Sequence, residues 1–122
     1  MAKTIMLVED DSLLVKMYKT KFESEGYQVL VADDGQKGLE MIQNHKPDFI
    51  ILDFMMPRLS GMELLAHMQQ NPQFKNIPTI MLSNMSNQAQ IEKAKKLGAR
   101  EFLIKANYTP AQIVSKIKQY LK

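Results

Sequence analysis

Short, unbroken apolar runs alternate along this chain with longer stretches in which apolar residues recur every third or fourth position. Thr4-Ile5-Met6-Leu7-Val8 is the first such run and predicts a buried strand. Leu14, Met17, Tyr18 and Phe22 follow at helical spacing, which predicts a helix starting near Ser12 and stopped by Gly26. Residues 27–32 read as a second strand, closed by the turn signal Asp33-Asp34-Gly35. A second helix through Leu39 and Ile42 ends before Pro47. Phe49, Ile50, Ile51 and Leu52 then run without interruption into Asp53, the pattern of a strand covered on both faces. Pro57 stops further pairing, and Ser60-Gly61 can open a third helix carrying Leu64, Leu65 and Met68, finished by Asn71-Pro72. Residues 78–82 predict a fourth strand ending at Ser83. Ser86 or Asn87 can cap a fourth helix with Ile91, Ala94 and Leu97 on one face. Glu101-Phe102-Leu103-Ile104 predicts a fifth strand ending at Lys105. Thr109-Pro110 starts a last helix with Ile113, Ile117, Tyr120 and Leu121 as its apolar stripe.

Strands that alternate with helices through short connections call for a parallel sheet covered by helices on both faces. The expected architecture is flavodoxin-like: a five-stranded parallel sheet of order 2-1-3-4-5 with five helices. In such a sheet every strand ends on one edge, and ligands gather there at the topological switch point. The first strand delivers Glu9 and Asp10 to that edge, the third Asp53, the fourth Ser83 and the fifth Lys105. Each has an ordinary alternative. Asp53 can start a turn, Asp10 or Asp11 can cap a helix, Ser83 can be a turn hydroxyl and Lys105 a solvated charge. Their joint placement at four strand ends argues against coincidence.

Clustered carboxylates repel and raise one another's pKa unless a cation joins them. An oxygen-only ligand set suits Mg²⁺, with Mn²⁺ as a substitute, better than zinc. A carboxylate beside such a metal can take a phosphoryl group as an aspartyl phosphate, with Ser83 and Lys105 placed to hold the transferred oxygens. These parts describe a phosphoryl acceptor.

Composition narrows the field. The chain has 122 residues with 45% hydrophobic and 24% charged content, as expected of one globular domain, residues 1–122, with no output domain. It has no cysteine, which excludes disulfides and thiol chemistry. No apolar run approaches a membrane span and no secretory leader is evident, so cytoplasm is the default location. The formal charge of +3 comes from lysines scattered over helices without interleaved aromatics, so solvated helix faces are expected rather than a nucleic-acid footprint. His45 and His67 show no ligand spacing and read as surface residues. The ten methionines read mostly as core and loop filling, with Met85 placed to shield an acyl phosphate from water.

Over essentially its whole length the chain resembles a response-regulator receiver domain of the stand-alone chemotaxis type. The resemblance rests on Glu9-Asp10, on Asp53-Phe54-Met55-Met56-Pro57 with Gly61 after it, and on Ser83 and Lys105. It implies that Asp53 is the phosphorylated residue. Asp10, Asp53 and the Met55 backbone carbonyl would bind Mg²⁺, with Glu9 acting through a metal-bound water. Ser83 and Lys105 would contact the phosphoryl group. Phe102 would be the aromatic switch on a face made by the fourth helix, fifth strand and fifth helix. The implied partners are a sensor histidine kinase or phosphotransfer protein and a downstream target protein. The implied role is that of a phosphoacceptor rather than an enzyme that turns over substrates. Two positions depart from the pattern. Ala106 stands where a cis proline is usual; a cis bond before a non-proline residue costs about 2.5–4 kcal/mol, so the sequence leaves both the isomer of the Lys105–Ala106 bond and the shape of the Lys105 loop open. Asn84 is larger than the residue usually found after the hydroxyl.

Three rivals compete. A dehalogenase-type phosphatase would need a second acid where Met55 stands. A nucleotide or flavin binder would need a glycine-rich loop where Glu9-Asp10-Asp11 stands. A scaffold that keeps the fold without phosphorylation retains no use for these groups.

Overall fold

The computed structural model describes residues 2–84 and 87–121. The strands are β1 (Thr4–Val8), β2 (Gln28–Ala32), β3 (Phe49–Asp53), β4 (Thr79–Ser83) and β5 (Glu101–Ile104). They alternate with the helices α1 (Ser12–Ser24), α2 (Gly35–His45), α3 (Gly61–Gln69), α4 (Gln88–Lys96) and α5 (Pro110–Lys118). The five strands form one sheet in the order β2-β1-β3-β4-β5, every pair parallel. This is the expected topology.

The period-two alternation of strands sorts the core into two layers. Met6, Val8, Ile50, Leu52 and Met81 face one layer, where Ile42, Leu64, Leu65, Met68 and Ala94 pack from α2, α3 and α4. Ile5, Leu7, Phe49, Ile51, Ile80, Leu82 and Leu103 face the other, closed by Tyr18 and Phe22 of α1 and by Ile113, Val114 and Ile117 of α5. β3 and β4 are buried at every position, which is why their sequences read as continuous rather than alternating apolar runs. At about 25 cal/mol per Å² of apolar surface, each fully buried Ile or Leu contributes about 1.5–3 kcal/mol.

Caps follow the sequence closely. Asp11 accepts hydrogen bonds from the Leu13 and Leu14 amides at the start of α1. Ser60 and Thr109 each form a reciprocal capping box, with Glu63 and Gln112. Asn87 caps α4 through the Gln90 amide, while the other candidate, Ser86, lies outside the described residues, as does Met85. Two local readings need correction. Met17 is not on the buried stripe of α1: it is 40% exposed, because the core-facing line runs through Leu14, Tyr18 and Phe22 at four-residue steps. Tyr27 precedes β2 rather than belonging to it, since its amide bonds back to the Phe22 carbonyl at the exit of α1.

Candidate functional site

The register of the sheet brings β1 and β3 side by side, with Val8 opposite Leu52, so the residues that follow each strand emerge together. Glu9 and Asp53 are both buried, at 1% and 6% exposure, while Asp10 is exposed beside them. One carboxylate oxygen from each of Glu9, Asp10 and Asp53 lies within 4.8 Å of the others. β4 ends in the buried Ser83, paired with Ile104 of β5, so the next residue of β5's chain, Lys105, starts from the same edge. A cavity of about 190 Å³ opens between these strand ends, lined by Glu9, Asp10, Asp11, Asp53, Met55, Ser83, Asn84 and Lys105.

Lys105 does not stay on the far side of this cavity, as strand order alone suggests. Its Nζ lies 2.7 Å from Glu9 Oε1 and 3.2 Å from Asp53 Oδ1. The second oxygen of Glu9 accepts the Asp11 amide at 3.1 Å, so both its oxygens are engaged. Lys105 opens a single 3₁₀ turn, Lys105–Asn107, and no described peptide bond is cis, so the bond to Ala106, which the sequence leaves open, is trans.

The electrostatics follow from this crowding. Burial pushes the Asp53 carboxyl up to about 7, and the charge of Glu9 adds to the effect while Lys105 opposes it. Burial by itself would lower Lys105, but the Glu9 hydrogen bond and the Asp53 and Glu9 charges outweigh it, and its pKa lies above the ordinary value. The ammonium is therefore a fixed positive charge facing more negative charge than it can balance. The clustered candidate ligands, Glu9, Asp10 and Asp53, offer only carboxylate oxygens and no thiolate or imidazole, a set that fits a hard divalent cation such as Mg²⁺ or Mn²⁺.

The profile of the response regulator receiver domain matches residues 5–118. The chain belongs to that family. Among similar receivers, the polar-differentiation response regulator DivK of Brucella anthropi is 27% identical over 121 residues, covering 99% of this chain and 98% of that protein. The chemotaxis response regulator CheY4 of Vibrio cholerae superposes with a TM-score of 0.90 at 25% identity, over 98% of this chain and 99% of that one. The receiver domain of the Francisella response regulator 1452 superposes with a TM-score of 0.87 at 28% identity, over 97% of this chain and 95% of that one.

Within this receiver, the predicted site residues divide into two groups. Asp10, Asp53, Glu9, Met55, Ser83 and Lys105 all line the cavity. Phe102 does not line it. Its half-buried ring on β5 lies 6.1 Å from the ring of Phe54, the residue after Asp53. Sequence reasoning missed that contact, because no spacing rule links positions on strands separated by a third. It also missed a further buried carboxylate, outside this cavity. Asp34, foreseen only as part of a turn, is 7% exposed; it caps α2 through the Lys37 amide at 2.8 Å and receives Arg58 Nη1 at 3.3 Å. The turn signal at Asp33-Asp34-Gly35 was the available hint, but nothing in it named Arg58. Tyr18, expected as core, is also within electrostatic reach of the site: burial raises its pKa, and Lys105, Glu9, Asp53 and Asp11 all act on it.

Proposed function

We propose that this receiver accepts a phosphoryl group on Asp53 from a phosphohistidine and uses it to switch a protein-binding face. The observation that carries the reading is the convergence of Glu9, Asp10 and Asp53 with Lys105 in one cavity at the strand edge. In the reaction an Asp53 carboxylate oxygen attacks phosphorus as the bond to the histidine nitrogen breaks. The leaving imidazole keeps its electron pair and takes a proton from solvent. Asp53 must be ionised to attack, and its raised pKa means that a cation has to share the site at neutral pH. Asp10, Asp53 and the Met55 carbonyl would hold Mg²⁺, with Glu9 reaching it through water. The bound ion would neutralise charge on the phosphoryl oxygens. Lys105 would leave Glu9 and pair with one phosphoryl oxygen, and Ser83 would donate its hydroxyl to another.

The switch is then a shift between pre-existing arrangements of the face built from α4, β5 and α5, with Phe102 as its movable aromatic. The chain acts as a phosphoacceptor in the cytoplasm, not as a turnover enzyme. A sensor histidine kinase or phosphotransfer protein lies upstream, and a protein target downstream. The test is intact mass after incubation with a small acyl phosphate and Mg²⁺. One labile phosphoryl adduct is expected, absent without Mg²⁺ and absent in Asp53→Asn. An adduct that survives in Asp53→Asn would sink the assignment.

A further inference from the structure

Arg58 holds a left-handed backbone, φ 69°, in the loop between Asp53 and α3. Among the described residues the other non-glycine positive φ is Lys46, which is the C-cap of α2, where that geometry is an ordinary way to end a helix. Arg58 ends no helix. For a long side chain this conformation costs about 1–2 kcal/mol and persists only where the surroundings impose it.

Contacts on both sides of the loop impose it. The Arg58 guanidinium meets Asp34 Oδ2 at 3.3 Å, and the other oxygen of that carboxylate is already committed to the Lys37 amide at the start of α2. One residue further along the loop, the Leu59 carbonyl lies against α2 so tightly that a Cβ on Gly35 would sit 1.9 Å from its oxygen. The loop's ends are pinned as well. The Phe54 amide bonds to the Leu82 carbonyl at 2.8 Å, and the Gly61 amide to the Phe54 carbonyl at 3.1 Å. Between these anchors stands Met55, which lines the acidic cavity.

We propose that the Arg58–Asp34 ion pair is a strap that positions this loop, and with it the Met55 backbone carbonyl, for the divalent cation. The inference rests on the metal-binding reading above. Mg²⁺ demands near-ideal octahedral placement of its ligands, so a loop carbonyl contributes fully only if its loop is held to within about 0.5 Å. Arg58 and Asp34 are positioning residues: neither lines the cavity.

The test is a double-mutant cycle read by Mg²⁺ affinity, using calorimetric titration of the unphosphorylated chain, with metal-free thermal unfolding beside it. The variants are Arg58→Ala, Asp34→Asn and the pair together. Asparagine keeps an oxygen for the Lys37 amide, which separates the strap from the helix cap. The strap predicts that each single variant weakens Mg²⁺ binding, by about threefold to fivefold for an exposed pair. The double variant should be no worse than either single one. The metal-free melting temperature should move by about 3 °C or less. Long-range charge alone predicts opposite signs, because removing Arg58 would tighten cation binding and removing the Asp34 charge would weaken it. Opposite signs, additive losses or unchanged affinities would each overturn the strap while leaving the metal site standing. Absence of Mg²⁺ binding by the unsubstituted chain would overturn the metal reading itself, and the strap with it.

Discussion

Two carboxylates near the strand edge are each joined to a cation, and the two pairs sit in opposite settings. At the end of β1, Glu9 meets Lys105 with side-chain exposures of 1% and 11%. At the start of α2, Asp34 meets Arg58 with 10% and 75%. The distances, 2.7 and 3.3 Å, differ less than the environments do. A buried pair has surrendered its hydration, so losing either partner strands the other. A pair with one end in water has surrendered little and contributes little. The same contact type therefore has different jobs: the first sets the charge of the site, and the second can only bias the shape of a loop.

Breaking the buried pair should have the largest effect. Lys105→Met leaves Glu9 and Asp53 facing each other without a cation, with Asp10 beside them. The expected loss in metal-free stability at pH 8 is about 3 kcal/mol, measured by urea unfolding. The loss should shrink at pH 5, where a proton can replace the ammonium, and on addition of Mg²⁺. A variant as stable as the parent at pH 8 would show that the Glu9–Lys105 contact is not the buried pair described above.

The next effect is a pH dependence whose sign the site dictates. In the unfolded chain Asp53 titrates near 3.8, whereas in the folded chain it is pushed up to about 7. Between those values the folded state holds a proton that the unfolded state has released. Its contribution to stability therefore falls as pH rises from about 4 through 7. Metal-free protein should lose on the order of 2 kcal/mol from this group between pH 5 and pH 8. Asp53→Asn should remove that slope and be more stable than the parent at pH 8. A parent and variant with parallel pH profiles would contradict the crowding argument.

The contrast between the two pairs also marks where the sequence stops being informative. Five strands, five helices, their order and most caps were legible, because a run such as Phe49-Ile50-Ile51-Leu52 and a cap such as Thr109-Pro110 act locally. The edge constellation was legible for a related reason: in a parallel sheet, a residue's place at a strand end determines which edge it reaches. The chain's receiver family was readable from the same residues. What could not be read depends on side-chain reach across elements. Lys105 crossing to Glu9, Phe102 meeting Phe54, and Arg58 finding Asp34 each link residues tens of positions apart through rotamers that no periodicity encodes. Met17 was misplaced for a subtler reason. Helical spacing names a stripe, but the core-facing line on α1 is narrower than that stripe and runs through Leu14, Tyr18 and Phe22.

The smallest effect comes from the exposed pair, and it separates two roles carried by one carboxylate. Asp34→Ala removes both the cap on the Lys37 amide and the contact to Arg58. An N-cap is typically worth about 1 kcal/mol, so this variant should lose roughly that much metal-free stability. Arg58→Ala keeps the cap and, because alanine suffers in the left-handed region as arginine does, keeps the strain as well. Only the ion pair is lost, and about 0.5 kcal/mol or less should go with it. Arg58→Gly removes the strain too and should come out between the parent and a slight stabilisation, offset by the greater freedom of glycine in the unfolded chain. Chemical denaturation of the three variants without metal would order them Asp34→Ala, Arg58→Ala, Arg58→Gly from least to most stable. An Arg58→Ala loss as large as that of Asp34→Ala would mean that the guanidinium stabilises the fold itself. The two ion pairs would then differ in degree and not in kind.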